Sequence, residues 1–251
     1  MTEPAGAVAS GSSACRPGAA AFVVLAGGSG SRVGAAQNKV YLPVAGRPVI
    51  SWSLAWATQV PEVGPVVLVI RPQDRHLAAE AVEAAGLTGA VAVITGGASR
   101  HRSEQAALDH LAGPIRSGAI DVVAIHDGAR PLAGAPLLQQ VIRAAAAHGG
   151  AVPTLPEPAA WSVDPAGRLR PPTADHGLHR VQTPQAFRAG PLLAAYAAAL
   201  RDGTEGTDTS AALEGWPGVR VVTVPGRPEN LKVTFADDLA RAAQLLASAL
   251  P

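Results

Sequence analysis

Apolar positions along this chain follow two spacings. Short, nearly continuous apolar runs occur at Ala20 to Leu25, Val66 to Ile70, Ala90 to Ile94, Asp121 to Ile125, Ala151 to Leu155 and Val219 to Val224, and each reads as a buried strand. Between the first five lie segments of helical period. Arg47 to about Gln59 carries Ile50, Ser53, Leu54 and Ala57 on one face, with Pro48 suited to a first turn. Asp74 to Ala85, ended by Gly86, Arg100 to Leu111 and Leu137 to His148 follow the same rule. Strands that are apolar throughout belong in a parallel sheet covered on both faces. The predicted fold class is therefore α/β: a Rossmann-like, mostly parallel sheet with helices on both faces.

Beyond residue 155 the pattern changes. Prolines at 156, 158, 165, 171 and 172 interrupt any helix, and Ala160 to Val163 and Arg168 to Arg170 flank the turn Asp164-Pro-Ala-Gly167. This predicts a protruding β-hairpin arm over about residues 156–179. Trp161 within it reads either as an exposed anchor for a partner subunit or as part of a local cluster. Gln182-Thr-Pro-Gln185 and Phe187 then lead into a helix from Pro191 to Arg201. A short helix from Thr209 to Glu214, a short strand from Asn230 to Thr234 and a terminal helix from Ala236 to Leu250 follow. Residues 1–19, rich in Ala, Gly and Ser, read as a disordered tail, which leaves 20–251 as one domain.

Composition narrows the function classes. A chain of 251 residues, 48% hydrophobic and 16% charged, can bury a sizeable core. The net charge is +1, and no basic run interleaved with aromatics occurs, so nucleic acid is not an expected partner. The single cysteine, Cys15, excludes an intrachain disulfide or a cysteine metal cage. The first apolar run is too short to span a membrane, and Glu3 stands where a secretory signal wants basic residues. A soluble, cytoplasmic protein without membrane partners is expected.

The candidate chemistry begins at Leu25 to Tyr41, LAGGSGSRVGAAQNKVY. Glycines after a buried strand let the backbone approach an anion, and Arg32 and Lys39 add positive charge, so the stretch reads as a phosphate-binding loop. Lys39 lies between Asn38 and Val40, which rules out a Walker A loop, and Val33 stands where a dinucleotide loop wants a small residue. A second turn, Gly96-Gly97, precedes a helix with Arg100 and Ser103 in its first turn, and reads either as a further wall of the same crevice or as a plain tight turn. His126-Asp127-Gly128-Ala129-Arg130-Pro131 lies at the carboxyl end of a strand. Ligands bind outside such ends, which places Asp127 to hold a divalent cation of the hard, oxygen-preferring kind, such as magnesium. His126 reads as a satisfied core histidine; a metal phosphohydrolase would need further histidines on helices, and here they are scattered. Lys39 and Lys232 are the two lysines, against 18 arginines.

Taken in order, LAGGSGSRV with Lys39, GGASRHRS at Gly96 to Ser103, HDGARP at His126 to Pro131, QTPQAF at Gln182 to Phe187, GTDTSA at Gly206 to Ala211 and NLKVTFADDL at Asn230 to Leu239 resemble the 2-C-methyl-D-erythritol 4-phosphate cytidylyltransferase family. Ribitol 5-phosphate cytidylyltransferases are wider relatives, and the resemblance spans Ala20 to about Leu246. It implies transfer of CMP from CTP to a polyol phosphate, foremost 2-C-methyl-D-erythritol 4-phosphate, with release of pyrophosphate, in isoprenoid precursor biosynthesis. It implies catalytic roles for Arg32 and Lys39, which would stabilise the transition state and the departing pyrophosphate. Ala26, Gly27, Gly28, Ser29 and Gly30 would cradle the triphosphate, and Gly96, Gly97 and Ser103 would contact cytosine and ribose. Asp127 and Gly128 would border the nucleotide, with Asp127 beside Mg2+. Arg130, Thr183 and Lys232 would bind the acceptor, and the arm would join a homodimer.

The sequence departs from the family pattern in the acceptor half. Pro156-Glu-Pro-Ala-Ala160 stands where the arm has an acid followed by Thr, and Asp175-His176 precedes Gly177-Leu178 where an Arg is expected. Thr209 replaces a second acid after Asp208, and Gly128 replaces an alanine. Arg168, Arg170, His176 and Arg180 are candidate replacement phosphate contacts. Two alternatives stay open: a paralogous nucleotidyltransferase for another alditol or sugar phosphate, and a nucleotide-binding regulator without turnover.

Overall fold

In a computed structural model of the chain, the residues described are 14–28, 38–157, 162–163, 165–170, 178–206 and 209–249. Chain order gives β1 (Ala20–Leu25), β2 (Pro43–Val44), β3 (Arg47–Pro48), α1 (Val49–Ala57), β4 (Val63–Ile70), α2 (Arg75–Ala84), β5 (Val91–Thr95), α3 (Arg100–Arg116), β6 (Val122–Asp127) and α4 (Gly134–His148). Then come β7 (Gly149–Pro156), β8 (Ser162–Val163), β9 (Leu169–Arg170), β10 (His179–Val181), β11 (Gln185–Arg188), α5 (Ala189–Asp202), β12 (Arg220–Pro225) and α6 (Ala236–Ala249).

β1 is the centre of the sheet because nothing in it needs water: Ala20 through Val24 are all fully buried. It pairs in parallel with β4 on one side and β6 on the other, and β5 extends the sheet beyond β4. Side chains alternate across the pleat, so β1 feeds two cores. Phe22 and Val24 join Leu68, Ile70 and the inner faces of α1, α2, α4 and α6. Ala21 and Val23 join Val67, Val69, Leu108 and Leu111 on the opposite face, under α3 and α5. The result is the predicted class, an open, mostly parallel α/β sheet of eight strands with helices on both faces. Among the described residues, no helix is long and apolar enough to cross a membrane.

The structure corrects the element boundaries in several places. α3 runs past Leu111 through Gly113-Pro114 to Arg116, because Ile115 is still buried against the second core. β6 continues through His126 and Asp127, so both lie on the strand rather than after it. Gln185 to Arg188 is a strand, antiparallel to both β6 and β7 and inserted between them. Asn230 to Thr234 is not a strand: the segment makes one sheet-like contact, Val233 N–H to Ala129 O at 2.8 Å, and Asn230 and Leu231 close a turn instead. Residues 14–19, assigned to the tail, pack against the sheet. Cys15 is buried, Arg16 donates to Gly118 O at 2.8 Å and pairs with Asp121, and the Asp121 N–H donates to Ala19 O. Burial pushes the Cys15 thiol up to about 11, as suits an inert cysteine.

In the arm, β8 and β9 pair antiparallel about a turn in which Gly167 takes φ +78°. The stem is closed by the pairing of Pro156 with His179, by the Glu157 N–H to Leu178 O bond at 2.8 Å and by an Arg180–Glu157 ion pair. Trp161, Asp175 and His176 lie outside the described residues.

Phe187 on β11 is fully buried among Val123, Val152, Leu192 and Tyr196. Phe187→Ala is expected to cost about 3–5 kcal/mol, read as a lowered urea midpoint at unchanged slope.

Candidate active site

The carboxyl ends of four adjacent parallel strands meet at one edge. Leu25 on β1 stands level with Asp127 on β6 and Val69 on β4, and Ile70 stands level with Thr95 on β5. The chain leaves three of these ends through Ala26, Gly96 and Gly128, whose backbones are clasped to the neighbouring strand. Ala26 N–H donates to Val69 O at 2.8 Å, Gly96 N–H to Ile70 O at 2.8 Å and Gly128 N–H to Leu25 O at 2.9 Å. Between them opens a cleft of about 290 Å³, lined by Gly27, Gly28, Asn38, Lys39, Gly97, Arg100, Ser103, Asp127, Gly128 and Lys232, among others. An open parallel sheet binds ligands at such a place.

Asn38 sets Lys39 in the cleft. Its amide donates to Ala26 O at 2.6 Å and to Asp74 Oδ2 at 3.3 Å, and its oxygen caps the one-turn helix Lys39–Tyr41 through Val40 N–H at 3.4 Å. Asp74 is itself forked by Arg71 at 2.7 and 2.8 Å. Lys39 is 8% exposed, with its body in protein and its turn fixed to the end of β1. The second glycine turn is braced by Ser103, whose hydroxyl accepts from Gly97 N–H at 3.2 Å and donates to Ser99 O at 2.9 Å.

Asp127 collects cations from distant parts of the chain. Lys232 Nζ lies 2.7 Å from Oδ2, Arg100 Nη1 pairs with Oδ1, and Arg130 Nε stands 3.8 Å away. Burial alone would raise the Asp127 pKa, but the charges of Arg100 and Lys232 outweigh it and hold the carboxyl well below the usual carboxylate range. Lys232 reaches Asp127 because the turn before it is pinned. Gln182 donates to Arg227 O at 2.8 Å, Asn230 donates to Thr183 O at 2.9 Å, and Arg130 donates to Asn230 O at 2.8 Å.

Beneath Asp127 a neutral relay fixes its backbone. Asp127 N–H donates to Thr183 Oγ1 at 3.0 Å, the Thr183 hydroxyl donates to His126 Nδ1 at 3.2 Å, and His126 Nε2–H donates to Arg130 O at 3.2 Å. That assignment leaves the imidazole neutral. Burial pushes the His126 pKa down to about 3, in keeping with a core histidine.

Of the residues singled out in the sequence, Gly27, Gly28, Lys39, Gly97, Ser103, Asp127, Gly128 and Lys232 line this one cleft. Ala26, Gly96, Arg130 and Thr183 stand behind its surface: Ala26 spends both backbone groups on Val69 and Asn38, and the Thr183 hydroxyl faces inward. Ser29, Gly30 and Arg32 lie outside the described residues. Sequence reasoning missed Asn38, Gln182 and Asn230 as the residues that place Lys39 and Lys232. For Asn38 and Asn230 the signal was an amide close to each lysine, but side-chain amides are common in turns; Gln182, far from both lysines in sequence, gave none. A Cβ built on Gly128 would lie 2.8 Å from Ile50 Cδ1 and 2.9 Å from Leu25 O, which explains why no alanine stands there.

A mostly parallel open sheet whose glycine turns, buried lysine and strand-end aspartate meet in one crevice defines a nucleotidyltransferase-type α/β protein. A family model for 2-C-methyl-D-erythritol 4-phosphate cytidylyltransferase matches residues 20–248, and the chain belongs to that family of enzymes. It is 39% identical over 229 residues to the 2-C-methyl-D-erythritol 4-phosphate cytidylyltransferase of Cereibacter sphaeroides, covering 91% of this chain and 97% of that protein. It is 36% identical over 233 residues to the bifunctional enzyme IspD/IspF of Chelativorans sp., covering 92% of this chain and spanning 56% of that longer protein. Among solved structures it superposes on 4-diphosphocytidyl-2C-methyl-D-erythritol synthase from Anaerococcus prevotii with a TM-score of 0.77 at 25% identity, covering 91% of this chain and 98% of that one. For the 2-C-methyl-D-erythritol 4-phosphate cytidylyltransferase of Thermus thermophilus, the TM-score is 0.67 at 28% identity, with coverage of 90% and 98%.

Two outcomes follow from this geometry. Gly128→Ala is expected to lower stability by about 1–3 kcal/mol, because Ile50 and the Leu25 carbonyl must both shift; chemical denaturation measures it. For His126, the unfolded chain takes up a proton below the ordinary value of 6.5 while the folded state does so only near 3. The stability from keeping it neutral is therefore full above that ordinary value and is lost as pH falls through the window between the two. The His126 ring resonances are expected to stay constant from about pH 8 to about pH 4, where an exposed histidine would titrate.

Proposed function

We propose that this chain transfers CMP from CTP to 2-C-methyl-D-erythritol 4-phosphate and releases pyrophosphate, a step of isoprenoid precursor biosynthesis. The observation that carries the reading is the single cleft in which Lys39, two glycine turns and the Asp127–Lys232 pair converge, in a chain of this family. The acceptor's phosphate oxygen attacks the α-phosphorus of CTP, the bond to the β-phosphate oxygen breaks, and pyrophosphate departs. Phosphoryl chemistry of this kind needs alignment and charge neutralisation more than covalent help. Gly27, Gly28 and Gly97 let the backbone approach the nucleotide, with Ser103 holding the second turn in shape. Lys39, with Arg32, meets charge developing on the α-phosphate and the leaving group. Lys232 serves the acceptor phosphate; Arg130 supports it from behind by holding the Asn230 carbonyl, and Thr183 acts from below by fixing the Asp127 backbone.

Magnesium fits this donor set. Among the described residues no group of three or more His, Cys, Asp or Glu side chains is placed to hold a metal. Magnesium, however, is usually held by one or two carboxylates together with substrate phosphates, and Asp127 offers one acidic side chain at the cleft. A bound Mg2+ would supply neutralisation of the triphosphate, and Asp127 would hold it. The reading extends to a cytoplasmic homodimer joined through the arm, which the exposed apolar side chains Leu178 and Val181 at the arm's stem support.

A second acceptor, another alditol or sugar phosphate handled by a paralogue, is favoured by the arm, where Pro156-Glu-Pro-Ala-Ala160 stands in place of the family's acid and Thr.

The test is pyrophosphate release from CTP with 2-C-methyl-D-erythritol 4-phosphate, with and without magnesium. Magnesium-dependent release is expected, and Lys39→Ala is expected to lower kcat by about 10²–10³-fold. Release with a different alditol phosphate alone would overturn the acceptor. Tight CTP binding, unchanged in Lys39→Ala and without turnover on any acceptor, would favour a regulator.

A further inference from the structure

A polar cluster behind the crevice is left unused by this reaction. Glu104, one turn into α3, is 1% exposed. Its carboxylate accepts from the Thr209 hydroxyl at 2.8 Å and from the Tyr196 hydroxyl, neither of which is among the residues lining the cleft. Its Oε1 also lies 2.9 Å from Arg100 Nε, an ion pair whose N–H is not aligned on the oxygen. The far end of the same guanidinium, Nη1, reaches Asp127 in the cleft. Arg100 is thus suspended between two carboxylates, one in the core and one at the ligand-facing surface. Tyr196 is itself held flat against His101, ring centroids 4.5 Å apart, and His101 Nδ1 accepts from Gly206 N–H at 3.4 Å.

Packing alone does not account for Glu104. Burying a carboxylate costs several kcal/mol, and an apolar side chain of similar volume fills such a space at less cost. Among the described residues its one charged partner is Arg100, and that partner lines the cleft. We propose that Glu104 is a positioning residue for donor binding: it anchors Arg100 from behind, so that the guanidinium stays over the cleft when Asp127 is drawn to other partners. This rests on the nucleotide reading above. An arginine held by Asp127 alone would follow that carboxylate or swing free, and ordering it again would weaken binding of a phosphate ligand. With a second anchor the positive charge is in place before the nucleotide arrives. Thr209 and Tyr196 complete the device by holding the carboxylate itself.

The experiment is a double-mutant cycle on the full chain: wild type, Glu104→Gln, Arg100→Gln and both together, titrated with CTP by calorimetry. Crystal structures of the wild type and Glu104→Gln without nucleotide accompany it. The carboxamide keeps the size of Glu104 and one accepting oxygen, but presents an amide where a second acceptor stood. Glu104→Gln is expected to weaken CTP binding about tenfold in the wild-type background and by no more than about twofold when Arg100 is already Gln. The KM for CTP is expected to rise more than kcat falls, and Arg100 is expected to leave its place beside Asp127. Glu104→Asp, which retains the charge, is expected to bind CTP more tightly than Glu104→Gln. Should Glu104→Gln fail to fold, Glu104→Asp carries the same cycle, with a smaller loss that again vanishes beside Arg100→Gln. Equal losses in both backgrounds, or an unmoved Arg100 in the Glu104→Gln crystal, overturn the proposal. A wild type that binds no CTP overturns the proposed function instead, and the crystal comparison still decides the role of Glu104.

Discussion

A carboxylate placed at the end of a central buried strand has to be compensated, and the rest of the site is built around that demand. Asp127 sits on β6, beside the most buried strand of the sheet. An ion in such a place is tolerated only with charged partners and satisfied hydrogen bonds. The chain supplies Arg100 from a helix, Arg130 from the turn after the strand, and Lys232 from a segment 105 residues away. Each of these brings its own supports, and together the supports outline the cleft. The same demand explains the neutral histidine next door: a second positive group beneath the strand would have no counterion left, so His126 hands its hydrogen bonds to Thr183 and the Arg130 carbonyl.

Much of the framework was legible in the sequence because it rests on local signals. Continuous apolar runs gave the parallel strands, and Gly27, Gly97 and Gly128 marked the strand exits. What was not legible is what depends on distant pairing. Gln185 to Arg188 is too short to announce itself as a strand, and becomes one only because β6 and β7 leave a gap of the right width. Asn230 to Thr234 looks like a strand by composition, yet Asn230 turns its amide to the Thr183 carbonyl and the ladder never forms. Residues 14–19 look like tail by composition, and it is the partners Gly118 and Asp121, a hundred residues later, that hold them down.

The candidate site divides the same way. Lys39 and Lys232 stood out because lysine is rare in an arginine-rich chain, and the structure brings both to one cleft. The residues that deliver them, Asn38, Gln182 and Asn230, are ordinary turn amides in the sequence; which groups they hold exists only in the folded geometry. Glu104 is more extreme. In sequence it is an ordinary helix glutamate, and only Tyr196 and Thr209, both more than 90 positions downstream, turn it into a buried ion.

The arm has a topological consequence of its own. It leaves the sheet at Pro156 and re-enters at His179, and those two residues face each other across the same ladder. The excursion is therefore a closed loop hung from a fixed stem: whatever its length or composition, the strands on either side stay in register. Residues between Pro156 and His179 can therefore change in sequence without disturbing the ladder that β7 and β10 share. Such an excursion is a place where variation costs the sheet little.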